Sequence, residues 1–186
     1  MMCADTDSRS NTIIFACHCL LNANAKVYGL ADYPGTFPPL REYLERSSAG
    51  VIQLQCPEMI HFGPKRWWHN RSQFEIPAYQ TLCKRLANEA ADLASQYTNS
   101  NYTILGLLGV EGSPSCGVRE TYNSDQWGGE PKSVDLTTCR ATGAGIFMDA
   151  IKESFRQKKL DIPCVGISPT QHTSAADIAT ALKTRA

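Results

Sequence analysis

The chain has 186 residues, of which 42% are hydrophobic and 19% charged, ordinary values for one globular domain. Its 18 basic and 18 acidic residues give a formal net charge of zero, which argues against a dedicated nucleic-acid-binding protein. The start of the chain is polar and lacks the apolar stretch of a signal peptide. No apolar run approaches the roughly 20 residues that span a bilayer. We therefore expect a cytoplasmic protein without a membrane or nucleic-acid partner.

Four short apolar runs predict buried β-strands, because they are rich in branched side chains and lack the polar alternation of a half-exposed strand. Residues 1–11 precede them and are predicted to be a disordered N-terminus, with a single domain over residues 12–186. The predicted strands are Thr12–Ala16, Gly50–Leu54, Tyr102–Val110 and Cys164–Ile167.

Helical patterns separate and follow these strands. The clearest runs from Ala78 to Tyr97, where apolar residues recur with the 3.6-residue period after Pro77. Further helices are predicted over residues 36–46, 143–159 and from about 174 onward. The alternation of strand and helix predicts an α/β fold, a three-layer sandwich with a mostly parallel, Rossmann-like sheet.

Eight cysteines are many for such a chain, and in a cytoplasmic protein they indicate metal binding or catalysis more often than disulfides. Cys19, Cys56 and Cys116 each follow a different predicted strand. Because ligands of open parallel sheets bind at the carboxyl ends of the strands, these cysteines can converge although they lie 37 and 60 residues apart. Three thiolates suit an iron–sulfur cluster or a zinc ion, and their spacing does not separate the two.

Other cysteines have plainer interpretations. Cys17 lies two residues before Cys19, so an extended chain would point both side chains the same way. Cys17 is therefore an alternative first ligand or a neighbour of the site. Cys83 lies on the apolar face of the long predicted helix and is interpreted as core packing.

The three cysteine loops also share a specific sequence context. In this order, each after a strand, they resemble the thiouracil desulfidase (TudS) family and its wider group of relatives. The resemblance extends from about Ile13 to Ser168. The stretches that carry it are Cys19-Leu20-Leu21-Asn22, Cys56-Pro57-Glu58, Ser113-Pro114-Ser115-Cys116-Gly117 and Gly143-Ala144-Gly145-Ile146-Phe147.

This resemblance implies a 4Fe-4S cluster held by Cys19, Cys56 and Cys116. It implies that the open iron binds the sulfur of a small thiolated substrate, such as a thiolated nucleobase, and that water replaces this sulfur without net redox change. It also implies that Glu58 transfers protons and that Ser113 contacts the substrate or relays a proton.

Two other functions stay open from the residues alone. One is a non-catalytic iron–sulfur or zinc protein that carries or senses sulfur. The other is a hydrolase in which Cys116 is the nucleophile.

Two loops carry further hypotheses. The basic and aromatic run Lys65–Trp68 is either a nucleobase recognition edge or, as we favour, a loop that packs its tryptophans on the domain. The long predicted loop from Val118 to Asp135 is a candidate lid over the site.

Overall fold

The structure is a computed structural model that describes residues 7–125, 127–129, 135, 137–171 and 173–183. The predicted disordered stretch, residues 1–11, therefore falls partly outside the described residues. The strands are β1 (Thr12–Ala16), β2 (Gly50–Gln53), β3 (Thr103–Val110), β4 (Glu120–Tyr122), β5 (Arg140–Thr142) and β6 (Cys164–Ile167). The helices are α1 (His18–Leu21), α2 (Pro38–Ser47), α3 (Pro57–Phe62), α4 (Pro77–Asn99), α5 (Ile146–Gln157) and α6 (Ala175–Lys183).

The main sheet has the strand order β2-β1-β3-β6, and its three pairings are parallel. This confirms the predicted α/β class and the mostly parallel sheet. The central strands are buried as expected. The edge strand β2 is not covered on both faces, because Val51 and Ile52 are only half-buried.

Helices cover both faces of this sheet. Successive side chains of a strand point to opposite faces. A Cβ added at Gly106 of β3 would meet Leu182 of α6, whereas one added at Gly109 would meet Met148 of α5. Helix α4 packs on α5 and helix α2 packs on α6. The sheet therefore lies between two helical layers, as the predicted sandwich requires.

The core lies between these layers and consists mainly of strand side chains and the inner faces of α4 and α5. Its largest fully buried members include Phe15, Leu107, Leu108, Phe147 and Ile151. Within the described part of the chain, no helix has the length and apolarity needed to cross a membrane.

The predicted loop from Val118 to Asp135 is partly a strand. Strand β4 pairs antiparallel with β5 and forms a bridge to Gly112 just beyond β3. Because Gly112 exchanges two backbone hydrogen bonds of 3.0 Å with Glu120 and Tyr122, the first part of this segment is tied to the sheet and is not a free lid. Residues 126 and 130–134 of the segment lie outside the described residues.

Candidate functional site

The sheet topology creates a crevice beside its central strand. Strand β1 is followed in the chain by β2 on one side, and the next sheet strand, β3, lies on its other side. Connections therefore leave β1 and β3 in opposite directions, and open α/β sheets bind ligands at such a switch point. A cavity of about 330 Å³ lies here. The five predicted site residues all line it, namely Cys19, Cys56, Glu58, Ser113 and Cys116.

Two of the cysteines are held by short helices that begin where strands end. Cys19 lies in the single turn of α1, directly after β1, and its carbonyl accepts a hydrogen bond of 2.9 Å from Tyr33. Cys56 is the N-cap of α3, and its sulfur accepts the Met59 N–H at 3.4 Å. Pro57 follows at the first helical position, where its fixed φ favours helix initiation. The backbone thus directs both thiols toward the cavity wall.

The third cysteine lies in a tight turn after β3. The Ser113 hydroxyl oxygen accepts the N–H groups of Ser115, at 3.3 Å, and Cys116, at 3.0 Å. The Cys116 carbonyl accepts the Val110 N–H at 3.0 Å, which returns the chain to the strand. The observed hydrogen bonds of the Ser113 side chain therefore shape the turn, while the residue also lines the cavity.

The N-terminus of α5 packs against this turn and hydrogen-bonds to it. The N–H groups of Ile146 and Met148 donate to the carbonyls of Pro114, at 2.9 Å, and Ser115, at 3.0 Å. First-turn N–H groups have no partner within their own helix, so the turn satisfies donors that would otherwise be unpaired. A Cβ at Gly145 would lie 2.4 Å from the Ser115 carbonyl carbon, so a glycine is needed for this close approach.

Cys116 is buried, Cys19 and Cys56 are half-buried, and the described cysteines form no disulfide. Hydrogen bonding between the side chains of Cys116 and Cys17, together with burial, raises the pKa of the Cys116 thiol well above its usual range. Burial also raises the pKa of Cys19, and it raises that of Cys56 to about 12, with neighbouring negative charge adding to both effects. Without a bound metal these thiols are protonated at neutral pH, and metal binding would release their protons.

Single-ion coordination is absent from the described residues. No group of three or more His, Cys, Asp and Glu side chains among them is placed to hold one metal ion.

A buried hydrogen-bond path leads to the predicted proton-transfer residue. Glu58 is 8% exposed, and its Oε1 accepts the Ser115 hydroxyl proton at 2.6 Å. Ser115 Oγ also lies 2.7 Å from the Tyr79 hydroxyl oxygen. Because a serine hydroxyl has one proton, Tyr79 must donate to Ser115 in this arrangement. Burial raises the pKa of Tyr79, so it remains a donor at neutral pH.

Arg66 completes the environment of Glu58. Its Nε donates to Glu58 Oε2 at 3.1 Å, and its Nη atoms donate to the carbonyls of Gly63, at 3.1 Å, and Ala25, at 2.8 Å. Arg66 is 6% exposed and lines the cavity with Trp68, so these two residues of the hypothetical nucleobase recognition edge face the site. Lys65 and Trp67 are exposed and do not line the cavity.

A buried carboxylate fixes the segment after the cysteine turn. Glu111 Oε2 accepts the N–H groups of Val118, Arg119 and Glu120, each at 3.1 Å, and Arg119 Nε donates to Oε1 at 3.0 Å. Burial acts in the opposite direction, but these hydrogen bonds lower the pKa of Glu111. The carboxylate fills the space above Gly166, where a Cβ would overlap it.

The remaining wall is aromatic. Trp68 and Trp127 meet edge to face with ring centroids 5.2 Å apart, and both line the cavity with His69. Asn70, fully buried, donates through Nδ2 to the carbonyls of Ser124, at 3.0 Å, and Trp127, at 2.6 Å. Residues 68–70 are therefore tied to Ser124 and Trp127 at this wall. The favoured interpretation was that the loop packs its tryptophans on the domain. Trp68 is half-buried and contacts Trp127, whereas Trp67 is 46% exposed.

Comparison with known proteins gives one informative match. Over 110 residues the chain is 32% identical to the protein of Methanocaldococcus jannaschii named "Uncharacterized protein MJ0003", which covers 59% of this chain and 70% of that protein. The chain belongs to the MJ0003 family. No family model matches the chain, and no solved structure matches it. The name of this relative states no activity, so the function of this family member is argued from its site.

Several residues of the site were not singled out from the sequence. Tyr79 follows the apolar period of its helix and reads as core, although its hydroxyl reaches the site. Asn70 carries no motif that would have marked it. For Glu111, the glycine within the apolar run Cys164–Ile167 was a usable signal, since glycine inside a strand often marks a close approach.

Proposed function

We propose that this protein is a desulfidase that removes sulfur, as sulfide, from a thiolated nucleobase or a similar small thiocarbonyl compound. In this proposal Cys19, Cys56 and Cys116 hold a 4Fe-4S cluster. When bound, such a cluster supplies an iron with an open coordination position, a Lewis acid for the sulfur of the substrate. The observation that carries the proposal is that the three thiols, all buried or half-buried, and Glu58 with its hydrogen-bond path line one cavity.

The donor set fits a cluster better than a single ion. One tetrahedral zinc needs thiolate sulfurs within about 4 Å of each other, because each Zn–S bond is about 2.3 Å long. The described side chains offer no such group. A cubane places its cysteine sulfurs on different irons and therefore farther apart. Three thiols around one cavity support that wider arrangement.

The reaction exchanges a carbon–sulfur double bond for a carbon–oxygen double bond, with water consumed and hydrogen sulfide released. It needs a group that takes protons from the water and returns them to the departing sulfur. Glu58 lines the cavity, and Arg66 Nε lies 3.1 Å from its Oε2. A carboxylate has about four acceptor positions, so it can still accept a water proton besides the bonds from Ser115 and Arg66.

Ser115 and Tyr79 have a positioning role in this scheme. They donate in sequence toward Glu58 Oε1, so the carboxylate cannot rotate without breaking buried hydrogen bonds. The same serine precedes Cys116, which links the position of the carboxylate to that of a cluster ligand. Proton transfer and cluster binding thus depend on one turn.

The alternative with Cys116 as a nucleophile has less support. A nucleophilic cysteine needs its thiolate form, which a basic neighbour stabilises. Hydrogen bonding with Cys17 and burial instead raise the pKa of the Cys116 thiol. Among the described residues, no histidine hydrogen-bonds to it. If the protein only carried or sensed sulfur, the buried hydrogen bonds that lead to Glu58 would have no function.

Anaerobic purification and assay test the proposal. We expect a brown protein with broad visible absorbance, about four irons per chain, and sulfide release from thiouracil or thiouridine with formation of the oxo product. Cys56→Ala should lose iron and activity, whereas the matched variant Cys164→Ala, whose cysteine does not line the cavity, should keep both. An iron–sulfur protein inactive on a panel of thiolated bases would favour a carrier or sensor. Activity without metal would favour the thiol nucleophile.

A further inference from the structure

Two buried ring nitrogens on the aromatic wall have no partner. Trp127 is 4% exposed, and its Nε1 has no hydrogen-bond partner within the described residues. His69 Nδ1 is likewise buried without one. Both residues line the cavity that contains the three cysteines. Buried polar groups are nearly always hydrogen-bonded, so this pair needs an explanation.

The chemistry of these two atoms points to a specific kind of ligand. An indole N–H can only donate, so Trp127 requires an acceptor such as a carbonyl oxygen. A neutral imidazole offers one donor and one acceptor, and burial lowers the pKa of His69, which keeps its ring neutral. A heterocycle with adjacent C=O and N–H groups can satisfy both nitrogens.

The charges on the cavity wall argue that this ligand is uncharged. The charged side chains that line the cavity all have ionic partners in the described part of the chain. The pairs are Lys26 with Asp32 at 2.8 Å, Arg66 with Glu58 at 3.1 Å, Arg140 with Glu120 at 2.8 Å and Arg119 with Glu111 at 3.0 Å. A phosphate would have to compete with a carboxylate for each cation. The wall therefore suits a neutral ring better than a nucleotide.

We propose that Trp127 determines substrate specificity by donating its indole N–H to the carbonyl at carbon 2 of an uncharged pyrimidine ring, with His69 beside it. The inference rests on the proposed function for the identity of the reaction, but it makes a claim about binding that needs no turnover. Since the carbonyl of Trp127 is held by Asn70 at 2.6 Å, the position of its backbone is fixed before a ligand binds.

Two heterocycles without sulfur, which can bind but cannot react, test the claim. Uracil carries a carbonyl at carbon 2 and a hydrogen on N1; pyrimidin-4-one lacks both but keeps the carbonyl at carbon 4. Binding of both is measured anaerobically by calorimetry on the cluster-reconstituted protein. Trp127→Phe should weaken uracil binding about tenfold and pyrimidin-4-one binding little, since loss of one hydrogen bond acts only on the ring that makes it. Trp67→Phe is the control, because Trp67 does not line the cavity.

The wild-type protein provides a second measurement that does not depend on folding of the variant. It should bind uracil more tightly than pyrimidin-4-one, and uridine 5′-monophosphate no more tightly than uridine. Equal losses for the two rings in Trp127→Phe, no wild-type preference, or no binding of either ring would overturn the inference. Tighter binding of the monophosphate would overturn the uncharged class.

Turnover separates this inference from the proposed function. If no thiolated compound releases sulfide but the uracil preference depends on Trp127, the desulfidase proposal fails and the inference stands. If sulfide is released and Trp127→Phe slows 4-thiouracil and pyrimidine-4-thione equally, the inference fails and the desulfidase stands.

Discussion

Ser115 donates to the Glu58 carboxylate at 2.6 Å and so joins two segments that are 57 residues apart in sequence. One segment is the turn that carries Cys116, and the other is the helix capped by Cys56. The bond therefore couples the segments that carry two of the three thiols to the buried carboxylate of Glu58. Substitutions in these two segments should therefore affect turnover and iron content to different extents.

Replacing Glu58 with Gln should remove proton transfer and keep the shape of the site. We expect turnover to fall by about 100-fold or more, because a positioned acid–base group typically contributes 10²–10⁴-fold. Sulfide release measures the rate, and visible absorbance with iron analysis measures the cluster. Glu89→Gln is a matched control on the exposed face of α4. A Glu58→Gln protein with full cluster and unchanged turnover would rule out the role.

Replacing Arg66 with Met should destabilise the fold strongly. Breaking a buried ion pair leaves Glu58 as an uncompensated charge, which typically costs about 3–5 kcal/mol. Urea unfolding measures this loss. Arg85→Met removes an exposed pair with Glu89 and should cost less than about 1 kcal/mol.

A double variant tests the cause of the Arg66 effect. Glu58→Gln combined with Arg66→Met should be more stable than Arg66→Met alone, because the unpaired charge is gone. Additive losses would show that Arg66 acts through packing and its carbonyl contacts instead.

The sequence predicted correctly those features that a single strand determines. Strands β1 and β6 have their predicted bounds, because each is a compact apolar run that ends at polar residues. The parallel sheet then brings residues that follow separate strands to one edge, which is why Cys19, Cys56 and Cys116 could be placed together in advance.

The sequence was uninformative where a partner lies far along the chain. Arg66 lies among residues that resemble an exposed basic and aromatic cluster, and only the position of Glu58 and the Ala25 carbonyl explains its burial. Strands β4 and β5 have three residues each, too few for a periodic pattern to emerge. Strand β4 is also tied to the backbone of Gly112, which no local pattern could reveal.

Replacing Gly145 with Ala should displace the Cys116 turn. The new Cβ would lie 2.4–2.8 Å from backbone atoms of Ser115 and Cys116, so one of them must move. We expect a loss of about 1–3 kcal/mol in unfolding free energy, typical of overpacking, together with reduced iron content. Gly35→Ala is the control, because a Cβ there meets nothing within 4 Å. Normal iron content and stability in Gly145→Ala would contradict the proposed support of the turn by α5.

Glu111 should make stability depend on pH in the acid range. Burial opposes the shift, but the backbone N–H groups and Arg119 lower the pKa of Glu111 from its ordinary 4.5 in the folded state. Below pH 4.5 the unfolded chain therefore binds more protons than the folded one, so the free energy of unfolding rises with pH there. The contribution is complete above pH 4.5 and is lost as pH falls through the folded pKa.

Urea unfolding from pH 3 to 7 measures this effect. As pH falls, the free energy of unfolding should decrease less steeply for Glu111→Gln than for the wild type. The control Glu45→Gln, at an exposed pair with Arg41, should follow the wild type. Parallel profiles for all three proteins would mean that the Glu111 hydrogen bonds do not favour its charged form.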